Sequence, residues 1–142
     1  MKRIVTSALS VILAVSMLLC FAACAEQGVS GGLWDNATYN KDTEFGTGSK
    51  TITVEIKVEE QSVKFTINTD KDTVGAALLE HELIAGDESE YGLYVKTVNG
   101  ILADYDVDKS YWAFYINGEY AMTGVDATAI DTEAAYQLAY TK

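Results

Sequence analysis

The side chains that could carry catalytic chemistry in this sequence are few. His81 is the only histidine among 142 residues. Nucleophilic and general base catalysis need such a group beside a nucleophile, and metal sites commonly use a second histidine. The sequence supplies neither partner for His81. We therefore interpret His81 as a solvent-facing residue on a helix, and we expect no enzymatic activity.

Acidic residues form a second pattern with chemical meaning. Asp104, Asp106 and Asp108 place carboxylates at every second position, as at the start of a calcium-binding EF-hand loop. Lys109 replaces the glycine that such a loop needs, and Tyr115 stands where its bidentate glutamate belongs. We interpret these residues as an acidic turn before a strand and predict no metal site.

Aromatic side chains are concentrated in the segment 111–118, which reads Tyr-Trp-Ala-Phe-Tyr-Ile-Asn-Gly. The Asn-Gly pair predicts a type I′ hairpin turn, because both central residues of that turn need positive φ. In the strand before it, Trp112, Phe114 and Ile116 fall on one face, since side chains alternate along a strand. We predict that this face belongs to the core of a sheet.

Tyr111 and Tyr115 fall on the opposite face of that strand. Alternation therefore makes them candidate ligand-binding residues, with Tyr94 and Tyr120 as neighbours. A tyrosine ring suits stacking on a flat ring system or a sugar, and its hydroxyl can orient the ligand. An outer sheet face that is rich in tyrosine and binds nothing is the alternative.

The N-terminal segment has the pattern of a cleaved export signal. A basic start at Lys2-Arg3 precedes an apolar run over 4–19, and the sequence Phe-Ala-Ala-Cys ends at Cys24. That ending resembles the lipobox of bacterial lipoproteins, whose cysteine receives a diacylglyceryl group and becomes the mature N-terminus. We predict a lipoprotein signal peptide over 1–23, lipidation at Cys24, and an exported protein that is lipid-anchored to the bacterial cell membrane and faces outside the cytoplasm. An uncleaved membrane anchor is the alternative, although the run is short for the roughly 20 residues that a span needs.

Composition excludes one class of partner. Loss of the signal would leave eight lysines against 21 acidic residues, and no arginine. Binding to nucleic acid requires neutralisation of phosphates by Lys and Arg, so no nucleic-acid partner is expected. The same cleavage removes Cys20 and commits Cys24 to lipid. The exported part is therefore expected to have no disulfide and to depend on its hydrophobic core.

The mature chain is predicted to consist of a tether and one small domain. Residues 24–49 are rich in Gly, Ser, Asn, Thr and Asp, which is typical of a flexible tether. Residues 50–142 have the periodicity of an amphipathic hairpin, a helix capped by Asp72, and several further strands. This order indicates an α+β domain with a β-grasp-like mixed sheet and one helix packed on one face.

Three motifs within this domain resemble a known family. They are Asp-Thr-Val-Gly-Ala-Ala-Leu-Leu at 72–79, Trp-x-Phe-Tyr-Ile-Asn-Gly at 112–118, and Thr-Gly-Val at 123–125. With the closing alternating strand, they are similar to the small β domain of bacterial surface lipoproteins and to the C-terminal domain of the transcobalamin and intrinsic factor family, a DUF4430-like domain. The resemblance covers roughly 50–141.

The resemblance implies a β-grasp-like fold in a group that includes ligand-binding modules. In the cobalamin carriers this domain covers one face of the corrin ring, and the residues that match Tyr111 and Trp112 lie near the ligand. The carriers tend to have glutamine at the position of Ala113, so one hydrogen-bonding side chain is missing here. The resemblance thus implies a small-molecule ligand, with a corrinoid such as cobalamin as the leading candidate, and no covalent cofactor. It also directs Trp112 toward the ligand, against the alternation argument.

Two functions follow from these observations. The first is a membrane-anchored extracytoplasmic binding module, which captures a small ligand such as a corrinoid and delivers it to a transporter or another surface partner. The second is a structural or adhesive surface module whose aromatic face meets a protein or a glycan. The fold alone does not decide between them, because one fold hosts many functions.

Overall fold

A computed structural model describes residues 32–142 of the chain. The predicted signal peptide 1–23, the predicted lipidation site Cys24 and the first part of the predicted tether lie outside the described residues. The strands are β1 (Thr43–Gly46), β2 (Lys50–Val58), β3 (Gln61–Thr69), β4 (Ile84–Ser89), β5 (Gly92–Val98), β6 (Ile101–Leu102), β7 (Tyr111–Ile116), β8 (Glu119–Tyr120) and β9 (Ala135–Thr141). The helices are α1 (Val74–Glu80) and α2 (Tyr105–Asp108), with short 3-10 helices at Leu33–Asn36 and Val125–Ala127.

The first hairpin follows from strict alternation of apolar and polar residues. The even-numbered positions 52–58 of β2 and the odd-numbered positions 63–67 of β3 are buried. The strands pair antiparallel over their whole length, with Val58 opposite Gln61 beside the turn. The predicted hairpin is therefore confirmed, and one of its faces forms part of the core.

Six strands form a mixed sheet in the order β1-β3-β2-β9-β7-β8. The pairs β1–β3 and β2–β9 are parallel, and the other pairs are antiparallel. The aromatic strand β7 pairs with β9 along its full length, from Tyr111 opposite Thr141 to Ile116 opposite Tyr136. Its other neighbour, β8, has only two residues, so most of β7 lies at the edge of the sheet.

A second sheet has three antiparallel strands in the order β4-β5-β6. The turn between β5 and β6 is a second Asn-Gly turn, with Asn99 at φ 52° and Gly100 at φ 80°. Strand β4 was not predicted, because only its first residue, Ile84, is buried and the other five are exposed. A strand without alternation of burial leaves no period-two signal in the sequence.

Helix α1 is capped by a different residue from the predicted one. The Thr73 hydroxyl accepts a hydrogen bond from the main-chain N–H of Ala76 at 3.2 Å. Asp72 instead forms an ion pair with Lys50, with Nζ and Oδ1 3.0 Å apart. Aspartate and threonine are both good N-cap residues. When two such residues are adjacent, only the backbone geometry of the folded chain decides which one caps the helix.

The folded domain begins earlier than the sequence predicts. The 3-10 helix Leu33–Asn36 and strand β1 lie within the predicted flexible tether 24–49, and β1 pairs with β3. The indole Nε1 of Trp34 donates to the main-chain oxygen of Val58 at 3.2 Å, and Phe45 packs against the core. Isolated aromatics between small polar residues have no periodicity, although each one anchors the chain where it packs. The boundary at residue 50 is therefore wrong.

The α+β class and the mixed sheet are confirmed. Two α-helices are present among the described residues where one was predicted; α2 is a single turn, too short for a periodic pattern. The β-grasp-like assignment stays a prediction. No helix within residues 32–142 is long and apolar enough to cross a membrane.

Candidate ligand-binding cleft

A cleft of about 360 Å³ is lined by strand β7 of the large sheet and strand β5 of the small one. The segment 120–125, which begins with the last residue of β8, forms a further wall. This aromatic cleft is lined by Leu93, Tyr94, Val95, Tyr111, Trp112, Phe114, Tyr120, Ala121, Met122, Thr123, Gly124, Val125 and Leu138. None of these lining residues carries a charge, so the cleft suits a flat and largely apolar ligand.

Trp112 lines the cleft and also belongs to the core. It is only 7% exposed. Its indole Nε1 donates a hydrogen bond to the main-chain oxygen of Ile101 at 3.2 Å, and its ring meets Tyr140 edge-on with centroids 5.6 Å apart. Phe114 stacks on Tyr136, with centroids 6.1 Å apart and ring planes 12° from parallel. These contacts fix both rings before any ligand arrives, which reduces the entropy lost on binding.

The outer wall is built by the β7–β8 hairpin and the chain after it. Asn117 and Gly118 have φ values of 52° and 81°, as a type I′ turn requires. The main-chain N–H of Ala121 donates to the oxygen of Phe114 at 2.9 Å, which keeps the returning chain beside β7. The next residue, Met122, is 96% exposed. A flexible and polarisable side chain therefore stands in solvent beside the cleft, where it can adapt to a ligand.

Asp126 ties this segment to strand β5. Its Oδ2 accepts a hydrogen bond from the main-chain N–H of Leu93 at 2.8 Å. Its other oxygen, Oδ1, is buried and has no hydrogen-bond partner among the described residues. Gly92, at φ 100°, leaves room for the carboxylate, since an added Cβ would lie 2.3 Å from Oδ2. The position of the wall thus depends on one carboxylate and on the glycine beside it.

Three of the four predicted ligand-binding residues, Tyr94, Tyr111 and Trp112, meet in the aromatic cleft. Tyr115 does not line it; its ring packs edge-on against that of Tyr120, with centroids 5.6 Å apart. Alternation predicts that the ligand site lies on the outer face of β7. The cleft instead includes the core-side residues Trp112 and Phe114, because β7 is largely uncovered by β8 at the sheet edge.

Leu93, Val95 and Met122 line the cleft without any sequence signal for a site. Leu93 and Val95 reach it only because β5 lies beside β7, and the packing of one sheet against another has no local pattern in the sequence. The Thr-Gly-Val motif at 123–125 is different, since it belongs to the resemblance and lines the cleft. That motif is the signal from which the outer wall could have been predicted.

The acidic run before β7 has a structural role. Asp104 caps α2 by accepting from the main-chain N–H of Asp106 at 3.1 Å. The hydroxyl and the main-chain N–H of Ser110 donate to Asp108 and hold the pKa of that carboxyl below its ordinary value. In the described part of the chain, no group of three or more His, Cys, Asp or Glu side chains is arranged to hold a metal ion.

Two solved structures share this fold. A protein of Ruminococcus gnavus ATCC 29149, described as a candidate metal-binding protein and solved at 1.30 Å resolution, matches with a TM-score of 0.62 and 29% identity, over 66% of this chain and 98% of that one. Haptocorrin in complex with Cbi matches with a TM-score of 0.53 and 17% identity, over 69% of this chain and 26% of that one. The second likeness shows the fold alone, and this chain spans about a quarter of haptocorrin's length. No curated protein sequence matches this chain.

A family described as a domain of unknown function, DUF4430, matches residues 71–142. That range contains both α-helices, strands β4 to β9 and every residue that lines the aromatic cleft. The match spans half of the chain, and it confirms the resemblance that the sequence motifs predict. The chain therefore belongs to the DUF4430 family, and its domain shares the fold found in haptocorrin.

Proposed function

We propose that this chain is a membrane-anchored, extracytoplasmic module that captures a small flat ligand, with a corrinoid as the leading candidate. The observation that carries this proposal is the meeting of Tyr94, Tyr111 and Trp112 around one uncharged cleft. Capture is non-covalent, because the lining offers rings and hydroxyls rather than a nucleophile with its base. The module is proposed not to be an enzyme.

The chemistry and size of the cleft favour a ring system that rests one face on the protein. Aromatic rings prefer offset or edge-on contact with other rings, and tyrosine hydroxyls can orient polar substituents. The volume of about 360 Å³ lies near the lower end of the range of small-molecule pockets, about 300–1,000 Å³. A large ligand would be covered only in part, so its affinity for this surface should be modest.

The comparisons support ligand binding in general terms. Haptocorrin, which shares the fold, was solved in complex with Cbi, and the more similar Ruminococcus gnavus protein is described as a candidate metal-binding protein. A shared fold does not by itself identify a ligand. A corrinoid is the leading candidate because the shared fold is accompanied here by an aromatic cleft on β7. The β-grasp-like order, with hairpin β2–β3 followed by α1, is our proposal for the classification of the fold.

Titration of the protein with cobalamin and with cobinamide, followed by the absorption bands of the corrin, tests this function. We expect a saturable spectral change with one ligand per chain. Tyr94→Ala removes a cleft ring and should weaken binding about three- to tenfold. Tyr91→Ala is the matched control, because Tyr91 is 87% exposed and does not line the cleft. An equal loss of affinity in both variants would contradict the assigned site.

A structural or adhesive module that binds a protein or a glycan is the second candidate. The exposed side chains of Tyr120 and Met122 favour it, since clustered exposed apolar surface marks sites of macromolecular contact. Binding to immobilised oligosaccharides that Tyr120→Ala abolishes, together with a lack of response to corrinoids, would support this function over the first.

In the proposed function, lipidated Cys24 anchors the protein to the outer side of the membrane. Two or more acyl chains, at about 0.8 kcal/mol per buried CH₂, hold a protein stably on a membrane. Cys24→Ala should therefore shift the protein from the membrane fraction to the soluble fraction, and mass spectrometry should find diacylglyceryl only on the unsubstituted chain. A variant that stays in the membrane fraction would indicate the uncleaved anchor instead. Outside the cytoplasm, a transporter or another surface protein is the proposed recipient of the ligand.

A further inference from the structure

A second cleft, of about 390 Å³, lies where β1 ends, beside the end of α1 and the turn after β3. This His81 cleft is lined by Gly46, Thr47, Gly48, Asn68, Thr69, Asp70, Lys71, Glu80 and His81. It shares no residue with the aromatic cleft. Unlike that cleft, it is polar and carries both imidazole and carboxylate groups.

His81 follows the last residue of α1 and is not the solvent-facing residue that the sequence predicts, because its Nε2 atom is buried and has no hydrogen-bond partner among the described residues. Its ring is held against Phe45, with centroids 5.6 Å apart. Buried polar atoms in native proteins nearly always have a partner, so an orphaned nitrogen requires an explanation. An imidazole nitrogen that faces a carboxylate across a gap is also an arrangement that binds metal ions.

Glu80 supplies the carboxylate. Its Oε2 lies 3.9 Å from His81 Nε2, too far for a hydrogen bond. Bonds from Zn²⁺ measure about 2.0–2.1 Å to imidazole nitrogen and about 2.0–2.2 Å to carboxylate oxygen, so a gap of this size can be bridged by one ion with a bent N–metal–O angle. The Thr69 hydroxyl donates to the same oxygen at 3.0 Å, which orients the carboxylate as outer contacts do in metal sites.

Gly46 keeps this space open. An added Cβ there would lie 3.0 Å from His81 Nε2 and 2.1 Å from the main-chain oxygen of Asn68, so both atoms face the same small volume. Asp70 also lines the cleft, but its Oδ1 already accepts hydrogen bonds from Ser49. The chain has a formal net charge of −11, which favours cations over anions near its surface.

We propose that the His81 cleft binds a divalent transition-metal ion of the Zn²⁺ type, with His81 Nε2 and Glu80 Oε2 as its protein ligands. Water fills the remaining positions, because the described residues hold no group of three metal-ligating side chains. With only two protein ligands, such a site has moderate affinity. This site shares no residue with the aromatic cleft, so its test does not depend on whether the cleft binds a corrinoid.

The single histidine makes the test direct. In the full chain, purified without a histidine tag and titrated with Zn²⁺, the only imidazole Hε1 resonance should move in a saturable way, with one ion per chain. His81→Gln should abolish the Zn²⁺-dependent rise in melting temperature that a bound ion produces. Glu80→Gln should weaken Zn²⁺ binding about tenfold or more, since loss of a group that holds a metal typically costs that much.

Glu82→Gln is the matched control, because Glu82 is exposed on the other side of His81 in sequence. The affinity of this variant for Zn²⁺ should stay within about twofold of the unsubstituted chain, because a solvent-exposed charge that does not bind the ion contributes little. An imidazole resonance that does not move at about 1 mM Zn²⁺, a concentration that detects even weak sites, would overturn the proposal. Equal weakening by Glu80→Gln and Glu82→Gln would overturn it too, since it would indicate only general attraction to an acidic surface.

Discussion

Trp112 and Ile101 are joined by a hydrogen bond from the indole Nε1 to the main-chain oxygen, 3.2 Å long, which links β7 of the large sheet to β6 of the small one. The same indole lines the aromatic cleft. The alternation argument assigns Trp112 to the core, and the family resemblance directs it toward a ligand. In the structure Trp112 belongs to the core and also lines the aromatic cleft, because the core reaches the surface at the open edge of β7.

This bond predicts a measurable cost for Trp112→Phe. The substitution keeps an aromatic ring but removes the hydrogen bond that the indole donates to the Ile101 oxygen and part of a buried side chain, so we expect the free energy of unfolding to fall by about 1–3 kcal/mol. Urea unfolding followed by circular dichroism measures this change. Trp34→Phe is the matched control: its indole also donates to a main-chain oxygen, that of Val58, but in a less buried place. A loss for Trp112→Phe no greater than that for Trp34→Phe would contradict the role of the Ile101 bond.

Alanine substitutions at Gly92 and Gly118 distinguish the effect of backbone strain from the effect of displacing the cleft wall. Both have positive φ, at 100° and 81°, so alanine is strained at either position by about 1 kcal/mol. At Gly118 an added Cβ meets nothing within 4 Å, whereas at Gly92 it would lie 2.3 Å from Oδ2 of Asp126. We expect Gly92→Ala to lower the melting temperature clearly more than Gly118→Ala. It should also weaken ligand binding, because it displaces the wall that Asp126 holds. Equal effects of the two substitutions on both measurements would argue against this role of Asp126.

The lowered pKa of Glu55 predicts that the stability of the fold depends on pH in the acid range. Hydrogen bonds from Ser62 and then from Gln137 hold its pKa below the ordinary value, and Gln137 Nε2 lies 2.8 Å from Oε2. A carboxyl group whose pKa is lower in the folded state stabilises the fold above its unfolded pKa. That stabilisation is lost as the pH falls through the folded value. Stability should therefore decline below about pH 4.5, because Glu55 of the unfolded chain is protonated at a higher pH than Glu55 of the folded chain.

Glu55→Gln should make the acid part of the stability curve flatter, while lowering stability at neutral pH. Urea midpoints measured at several pH values give this curve directly. Glu60→Gln, in the exposed turn between β2 and β3, is the control and should leave the slope unchanged. If stability depends on pH with the same slope in Glu55→Gln and in the unsubstituted chain, Glu55 does not contribute to stability in acid.

The parts of the fold that could be predicted are those with strong local patterns. The alternating residues of β2 and β3 and the Asn-Gly turns at 99–100 and 117–118 carry their conformation in the sequence itself. Strand β4 and the segment 33–46 could not be predicted, because each is ordered by distant contacts: pairing with β5 in one case, and packing of single aromatics on the core in the other. Local propensity gives way there to tertiary structure.

The candidate site was predictable to a similar extent. Tyr111 and Trp112 could be named, because aromatic density and motif resemblance both select them, and Tyr94 could be named only as a possible neighbour of Tyr111. The wall formed by Leu93 and Met122 could not, since it depends on how two sheets and one loop meet. The cap of α1 at Thr73 rather than Asp72 shows the same limit on a smaller scale, because two suitable residues stand side by side.

The fluorescence of Trp112 during a corrinoid titration tests the central claim most directly. In the Trp34→Phe protein, Trp112 is the only tryptophan, and it lines the proposed site. We predict saturable quenching by cobinamide at concentrations up to about 100 µM, weakened in the further variant Tyr94→Ala and unchanged in Tyr91→Ala. A Trp112 signal that shows no saturable change over this range would contradict corrinoid capture by the aromatic cleft.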